Sequence, residues 1–343
     1  MNSHDDKPPR PGAGENPWNS ARPRSPGAPR PDKRERERLR AAATTGDAAP
    51  RRYSDALGGA KSAPPRGGYA GAARSYGASE RTDSAAPLPP RPETQQRQEE
   101  LRLFGINACS AAFAKRPQDL RKAYLTQDRI EQFKPMLAWC VQNKLGYRVV
   151  ESADLAKLTA SQHHEGICLE MRRQAPLGLA QLLAQLPVAP APAVLVLLDG
   201  VGNPHNFGAV LRSAANFGVA GVVLPQGSTL TLSGAACRVA EGGAEIVPLA
   251  RPSADEDTLA LLRGAGFTIA ATVPRDGGSL YAQALPARVA LVFGAENEGM
   301  SADLIAAADR RLTIPGTGSV ESLNIAASAA VVFAEHYRQH AAA

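Results

Sequence analysis

The chain has 343 residues, a formal net charge of +6, 28 prolines and four cysteines. Residues 1–96 hold 15 of the prolines and 17 Lys/Arg against 11 Asp/Glu, so they carry the whole positive excess, while residues 97–343 balance at 22 against 22. No apolar run approaches the ~20 residues that span a bilayer, and Cys109, Cys140, Cys168 and Cys237 form no C-x-x-C pair, which excludes an integral helical membrane protein and argues against zinc ribbons, redox dithiols and a disulfide framework.

The start of the chain, MNSHDDKPPRPGAGENP, has no apolar h-region, so a cytoplasmic setting with reduced thiols is expected. Residues 1–96, with runs such as RPRSPGAPRPDKRERERLR, have few large apolar residues and no hydrophobic period. Such a segment cannot bury enough surface to offset its chain entropy and is predicted to be a disordered basic tail.

From Leu101 the pattern alternates. FGINACSAAFAKRP reads as a helix, LRKAYL as a strand, IEQFKPMLAWCVQNK as a helix, YRVV as a strand, SADLAKL as a short helix and GICLEM as a strand. Residues 97–173 thus form a small α/β domain with 13 basic against nine acidic residues. Lys115, Arg116, Arg121 and Lys122 lie close together; such a run is ordinarily a solvated face, but beside a basic tail it raises nucleic acid as a partner. His163, His164 and Glu165 lack the H-E-x-x-H spacing of a zinc protease, and no metal site is expected.

Residues 174–190 read as a linker, with a short helix LGLAQLLAQL followed by PVAPAPA, and a second domain is predicted over 191–343. There the strands AVLVLL, GVVLP, IVPLAR, FTIAATV, VALVFG and RLTIP alternate with helices, ending in a long helix from about Ser322 to Arg338. Apolar, β-branched strands separated by helices predict a doubly wound α/β fold with a parallel sheet covered on both faces.

Ligands in open α/β sheets bind beyond the carboxyl ends of strands. Three loops there are rich in glycine and isolated polar residues: DGVGNPHNFGAVLRSA, GAENEGMS and PGTGSVESLN. None is a G-x-G-x-x-G, a Walker loop or a G-x-S-x-G elbow. Asn206 reads first as a helix N-cap. Arg212 lies on an apolar helix among Ala209, Val210, Ala214 and Ala215 with no acid three or four residues away, as an arginine does when a phosphate or carboxylate comes from elsewhere. Glu296 suits a turn and Asn324 the first turn of a helix.

Taken together, NPHNFGAVLRSA, LVFGAENEGMS and IPGTGSVESLNIAASA resemble the three consecutive motifs of the SPOUT class of methyltransferases, specifically the SpoU (TrmH-like) RNA ribose 2′-O-methyltransferases. The preceding block, with YLT and HHEGICL, resembles that family's L30e-like RNA-binding domain. The resemblance implies a trefoil knot in the C-terminal domain, a homodimer, and S-adenosylmethionine held by backbone groups at Gly294, Ile314 and Leu323. It places Arg212 at the catalytic arginine position, with Asn206, Glu296, Ser322 and Asn324 orienting Arg212, the ribose and the donor. A guanidinium is a poor base at neutral pH, so a charge-stabilising role is expected for Arg212. Ala326 stands where many relatives have serine.

The RNA implied is ribosomal in preference to transfer RNA, bound by the basic domain with salt-sensitive help from the tail. Two rival readings are a non-catalytic RNA-binding or ribosome-assembly protein that kept the fold, and an α/β enzyme acting on a small nucleotide. The first predicts lost motif residues, and the central ones are all present; the basic domain disfavours the second.

Overall fold

The computed structural model describes residues 100–295 and 299–340. The tail predicted over 1–96 and the candidate residue Glu296 lie outside the described residues.

The first sheet has the order β1-β4-β2-β3, from β1 (Glu100–Phe104), β2 (Leu120–Leu125), β3 (Gly146–Val149) and β4 (Ile167–Arg172). β4 runs antiparallel to β1 and β2, and β3 parallel to β2. Helices α1 (Ile106–Lys115), α2 (Lys134–Gln142) and α3 (Ser152–Thr159) join them. Alternation puts Leu101, Leu103, Ala123, Leu125, Ile167, Leu169 and Met171 on one face, where they pack with Cys109, Met136 and Cys140. Strand β1 is absent from the sequence reading, although Leu101 and Leu103 alternate with Arg102. The helix predicted from Ile130 begins at Lys134, with Pro135 in its first turn, where a missing N–H costs nothing.

The second sheet is parallel, in the order β10-β12-β9-β11-β6-β7-β8-β5. Its strands are β5 (Leu177–Gly178), β6 (Ala193–Leu198), β7 (Gly221–Val223), β8 (Leu249–Arg251), β9 (Thr268–Thr272), β10 (Gly278–Ser279), β11 (Arg288–Phe293) and β12 (Arg310–Thr313). All six predicted strands of this half are present; the two-residue β5 and β10 are additions too short to carry a period. Every residue of β6 and β11 is buried, because helices cover both faces. One face packs against α5 (Pro204–Asn216), α6 (Gly234–Ala240) and α9 (Ile325–His340), the other against α4 (Leu179–Ala184), α7 (Thr258–Gly264) and α8 (Ala302–Ala307). From β6 the chain steps outward through β7 and β8, then returns to build β9, β11 and β12 on the other side, so strand order reverses between β6 and β11.

The two sheets are tied by charge and by close backbone approach. Arg116, 5% exposed, makes a bidentate pair with Glu245 (2.7 and 2.8 Å) and donates to Arg172 O at 2.9 Å. It is therefore no part of a solvated face, as its run of cations suggested, but a buried cation whose planar fork is matched by a carboxylate on the other half. Arg238 of α6 pairs with Glu165 and with Glu241, and Asn107 donates to Glu241. At Gly234 a Cβ would collide with Arg102 O and the Phe104 ring, so only glycine lets α6 start directly against β1.

Candidate functional site

Strands β6, β11 and β12 run parallel, so the loops 199–203, 294–301 and 314–324 leave the same edge of the sheet, at its reversal point. Asp199 N donates to Phe293 O at 2.9 Å, and Asp199 Oδ2 accepts from Ser301 N at 3.1 Å, tying the first loop to the second. Ala295 and Gly299 exchange backbone hydrogen bonds of 3.0 and 2.9 Å. A Cβ on Gly294 would run into the Gly299 and Met300 backbone, so glycine at this position is dictated by that close approach.

The cap of α5 is Asn203, whose side chain accepts from His205 N at 2.9 Å. The capping role expected of Asn206 is thereby corrected: Asn206 lies in the first turn, and with the cap supplied by Asn203 its side chain is released for another partner. That partner is Asn324, whose Nδ2 donates to Asn206 Oδ1 at 3.1 Å while its Oδ1 accepts from Ala326 N at 2.9 Å and Ala327 N at 3.4 Å. Asn324 thus caps α9 and joins the first loop to the third.

Arg212 sits two turns along α5 from Asn206 and is exposed, with no hydrogen bond or ion pair among the described residues. Val210, Leu211 and Ala214 lie on the inner face of α5 and enter the core, while Arg212 points outward. Ser322 and Leu323 are exposed just before Asn324, and Ile314 is half-buried against the core. Ser322 has no hydrogen-bond partner among the described residues.

Backbone groups of Gly294, Ile314 and Leu323 likewise make no hydrogen bond among the described residues. Three loop segments at one sheet edge thus present unspent N–H and C=O groups beside aliphatic side chains, the donor set that an adenine and ribose need. The residues fit S-adenosylmethionine on that count.

The sequence reading left the tie between the halves unseen. In the His163–Gly166 turn, Glu165 Oε2 accepts from Ile106 N at 2.8 Å at the start of α1, and buried His164 accepts from Gly166 N through Nδ1 at 3.1 Å. The two histidines and Glu165 therefore build a turn and, through Arg238, a contact between the two sheets. All four cysteines are buried and free; burial pushes the Cys168 and Cys237 thiols up to about 12, so neither supplies a thiolate near neutrality.

Comparison with known proteins agrees with this arrangement. Residues 193–334 match the model of the SpoU rRNA Methylase family, and residues 102–177 match that for RNA 2′-O ribose methyltransferase substrate binding. The chain is 38% identical over 251 residues to a tRNA/rRNA methyltransferase, YfiF, of Escherichia coli O157:H7 that carries the label uncharacterized, covering 72% of this chain and 71% of that one. It is 33% identical over 242 residues to the 23S rRNA (guanosine-2′-O-)-methyltransferase RlmB of Nitrosomonas europaea, covering 69% and 91%. Among solved structures, an RNA 2′-O ribose methyltransferase aligns with a TM-score of 0.58 at 25% identity, covering 73% of this chain and 92% of that one. The fold is also that of the SpoU methyltransferase AviRb of Streptomyces viridochromogenes in complex with AdoMet, with a TM-score of 0.58 at 21% identity over 73% of this chain and 94% of that one. With both halves matched in order and the three loops converging on one sheet edge, the chain belongs to the SpoU family of RNA methyltransferases.

Proposed function

We propose that the protein transfers a methyl group from S-adenosylmethionine to a ribose 2′-oxygen in structured RNA, with ribosomal RNA preferred over transfer RNA, in the cytoplasm. The observation that carries this reading is the Asn206–Asn324 hydrogen bond, which joins the first and third motif loops next to the helix that bears Arg212, exposed and unpaired among the described residues. Support for the substrate class comes from the RlmB relatives, named for guanosine 2′-O-methylation of 23S rRNA.

The bound donor supplies a sulfonium methyl group, already an activated electrophile. The chain's part is to place the acceptor oxygen in line and manage its charge. Gly294, Ile314 and Leu323 would hold the donor through backbone groups that make no hydrogen bond among the described residues. Arg212 reaches a nucleotide phosphate and stabilises negative charge developing on the 2′-oxygen; its proton departs through phosphate or water, since a guanidinium does not accept it near neutrality. Asn206 and Asn324 orient the ribose, with Ser322 and Glu296 as the further polar groups of the motifs. Where the family carries a serine, Ala326 offers only its backbone N–H, which is already engaged by Asn324.

The same reading divides the chain into a tail (1–96), an L30e-like RNA-binding domain (97–173), a linker (174–190) and a knotted SPOUT domain (191–343). In support of the knot, the chain leaves β12, separated from β6 by β9 and β11, and returns to pack α9 on α5. Supporting a homodimer, Val320 and Leu323 in the third loop are 69% and 49% exposed. Among the described residues no helix is long and apolar enough to cross a membrane.

The test is methyl transfer from labelled S-adenosylmethionine to RNA from a strain lacking the protein, comparing wild type with Arg212→Ala. Label at a ribose 2′-oxygen, lost in the variant, is expected. If neither protein transfers label and the donor does not bind by calorimetry while RNA does, the non-catalytic RNA-binding reading replaces this one.

A further inference from the structure

Strand β9 lies between β11 and β12, the strands that carry the second and third motif loops. Ala271 is paired with Val292 on one side and with Arg311 on the other, so two residues further along Val273 comes between Gly294 and Thr313. Neighbouring strands stand about 4.8 Å apart. A ligand held by the backbone of both Gly294 and Ile314 therefore crosses the end of β9. The loop 273–277 that leaves this end stands beside the donor, although it belongs to none of the three motifs.

Two threonine hydroxyls stitch the strand end to its neighbours. Thr272 Oγ1 donates to Val292 O at 2.8 Å, two residues before Gly294. Thr313, the residue immediately before Ile314, does more: its Oγ1 donates to Val273 O at 3.1 Å and accepts from Gly277 N at 3.1 Å. One hydroxyl thus closes both ends of the loop, using its proton on one and a lone pair on the other. The backbone continues the clamp, with Val273 N donating to Leu312 O at 2.8 Å and Leu280 N to Thr313 O at 2.9 Å. A Cβ on Gly277 would run into the same hydroxyl and the Leu312–Thr313 backbone, so loop and threonine are fitted to each other. At the loop's tip Arg275 and Asp276 are exposed and make no hydrogen bond or ion pair among the described residues, so the tip's own side chains do not hold its shape.

We propose that Thr313 is a positioning residue for S-adenosylmethionine: by clamping the loop 273–277 it fixes the Ile314 backbone and the end of β9 against which the donor lies. The hydroxyl acts through the backbone and touches no ligand. It holds the binding groups at their spacing before the donor arrives; without it, ordering the loop on binding costs affinity. Valine has nearly the same shape but leaves Val273 O and Gly277 N without that partner, whereas serine keeps the hydroxyl. The inference rests on the placement of the donor at Gly294 and Ile314.

The full chain is titrated calorimetrically with S-adenosylmethionine as wild type, Thr313→Val, Thr313→Ala, Thr313→Ser and Arg310→Gln. Arg310 donates to Ala284 O at 3.0 Å from the other end of the same strand and so controls for a general loosening of β12. Both hydroxyl-free variants are expected to lose at least about tenfold in donor affinity, with Thr313→Ser within about threefold and Arg310→Gln within about twofold of wild type. In the donor-free chain, amide exchange at Gly277 speeds up in the valine and alanine variants and not in the serine variant. RNA affinity by polarisation stays unchanged and reports that each variant is folded; where the valine variant does not fold, the alanine variant decides. Wild-type donor affinity in either folded hydroxyl-free variant, failure of serine to restore it, or an equal loss in Arg310→Gln overturns the role of Thr313 and leaves the methyltransferase reading intact. A wild type that binds no donor overturns the donor placement itself, and this inference with it.

Discussion

Asn324 Nδ2 donates to Asn206 Oδ1 at 3.1 Å across 118 residues of chain, while the same side chain caps α9 through its oxygen. One amide thus holds two of the three motif loops in register, and its two ends have separable consequences. Asn206→Ala removes the acceptor and leaves both caps in place, so thermal stability is expected to stay within about 0.5 kcal/mol while methyl transfer falls. Asn324→Ala also loses a cap worth about 1 kcal/mol. Melting curves and initial rates on the two variants check this, and equal destabilisation by both contradicts it.

Arg212 is exposed and unpaired among the described residues, so its removal is expected to leave folding unchanged. A group that stabilises transition-state charge contributes about 10²–10³ in rate. Arg212→Ala is expected to lose that much, and Arg212→Lys to recover only part of it, because a point charge lacks the planar fork. Single-turnover rates on the labelled RNA give the answer.

A side chain at position 294 meets the Gly299 and Met300 backbone, so Gly294→Ala must displace the second loop. Donor affinity is expected to fall at least about tenfold, or about 1.4 kcal/mol, with RNA affinity unchanged. Calorimetry with the donor and polarisation with RNA separate the two effects.

Arg116 is buried between the halves against Glu245 and Asp119. Arg116→Met leaves Glu245 without its cation and is expected to cost about 3–5 kcal/mol, as breaking one side of a buried pair does. Denaturant unfolding reads the loss. A change below about 1 kcal/mol would mean that the two halves do not depend on this contact.

Helix α9 sets a pH dependence. Burial, and then the neighbouring His340 ring at 4.4 Å, hold the His336 imidazole below its ordinary value, and its Nε2 lies 3.2 Å from Pro286 O. Because the folded state binds this proton less readily than the unfolded chain, its contribution is present above pH ~6.5 and is lost as pH falls below that. Hydrogen bonds from Arg338 and Gln339 hold Glu335 down to about 2, so a second loss follows only in stronger acid, below the ordinary carboxylate range. Melting temperature is expected to drop between pH 7 and 5.5 in wild type and to change less in His336→Gln.

Local patterning determined a great deal of this protein. The apolar runs of β6 and β11 and the helices between them were legible because a period of 2 or 3.6 is a property of neighbouring residues. Three glycine-rich loops at strand ends, and their likeness to a known family, were legible for the same reason. What tertiary structure decided lies in pairings far apart in sequence. Arg116 reads as one more surface cation until Glu245, 129 residues away, closes on it. Asn206 reads as a cap until Asn203 takes that role and Asn324 arrives from the third loop. Whether a polar side chain caps its own helix, faces solvent or meets a distant partner depends on which strands are adjacent. Sheet order is set by the burial of whole faces, which no local window of sequence contains.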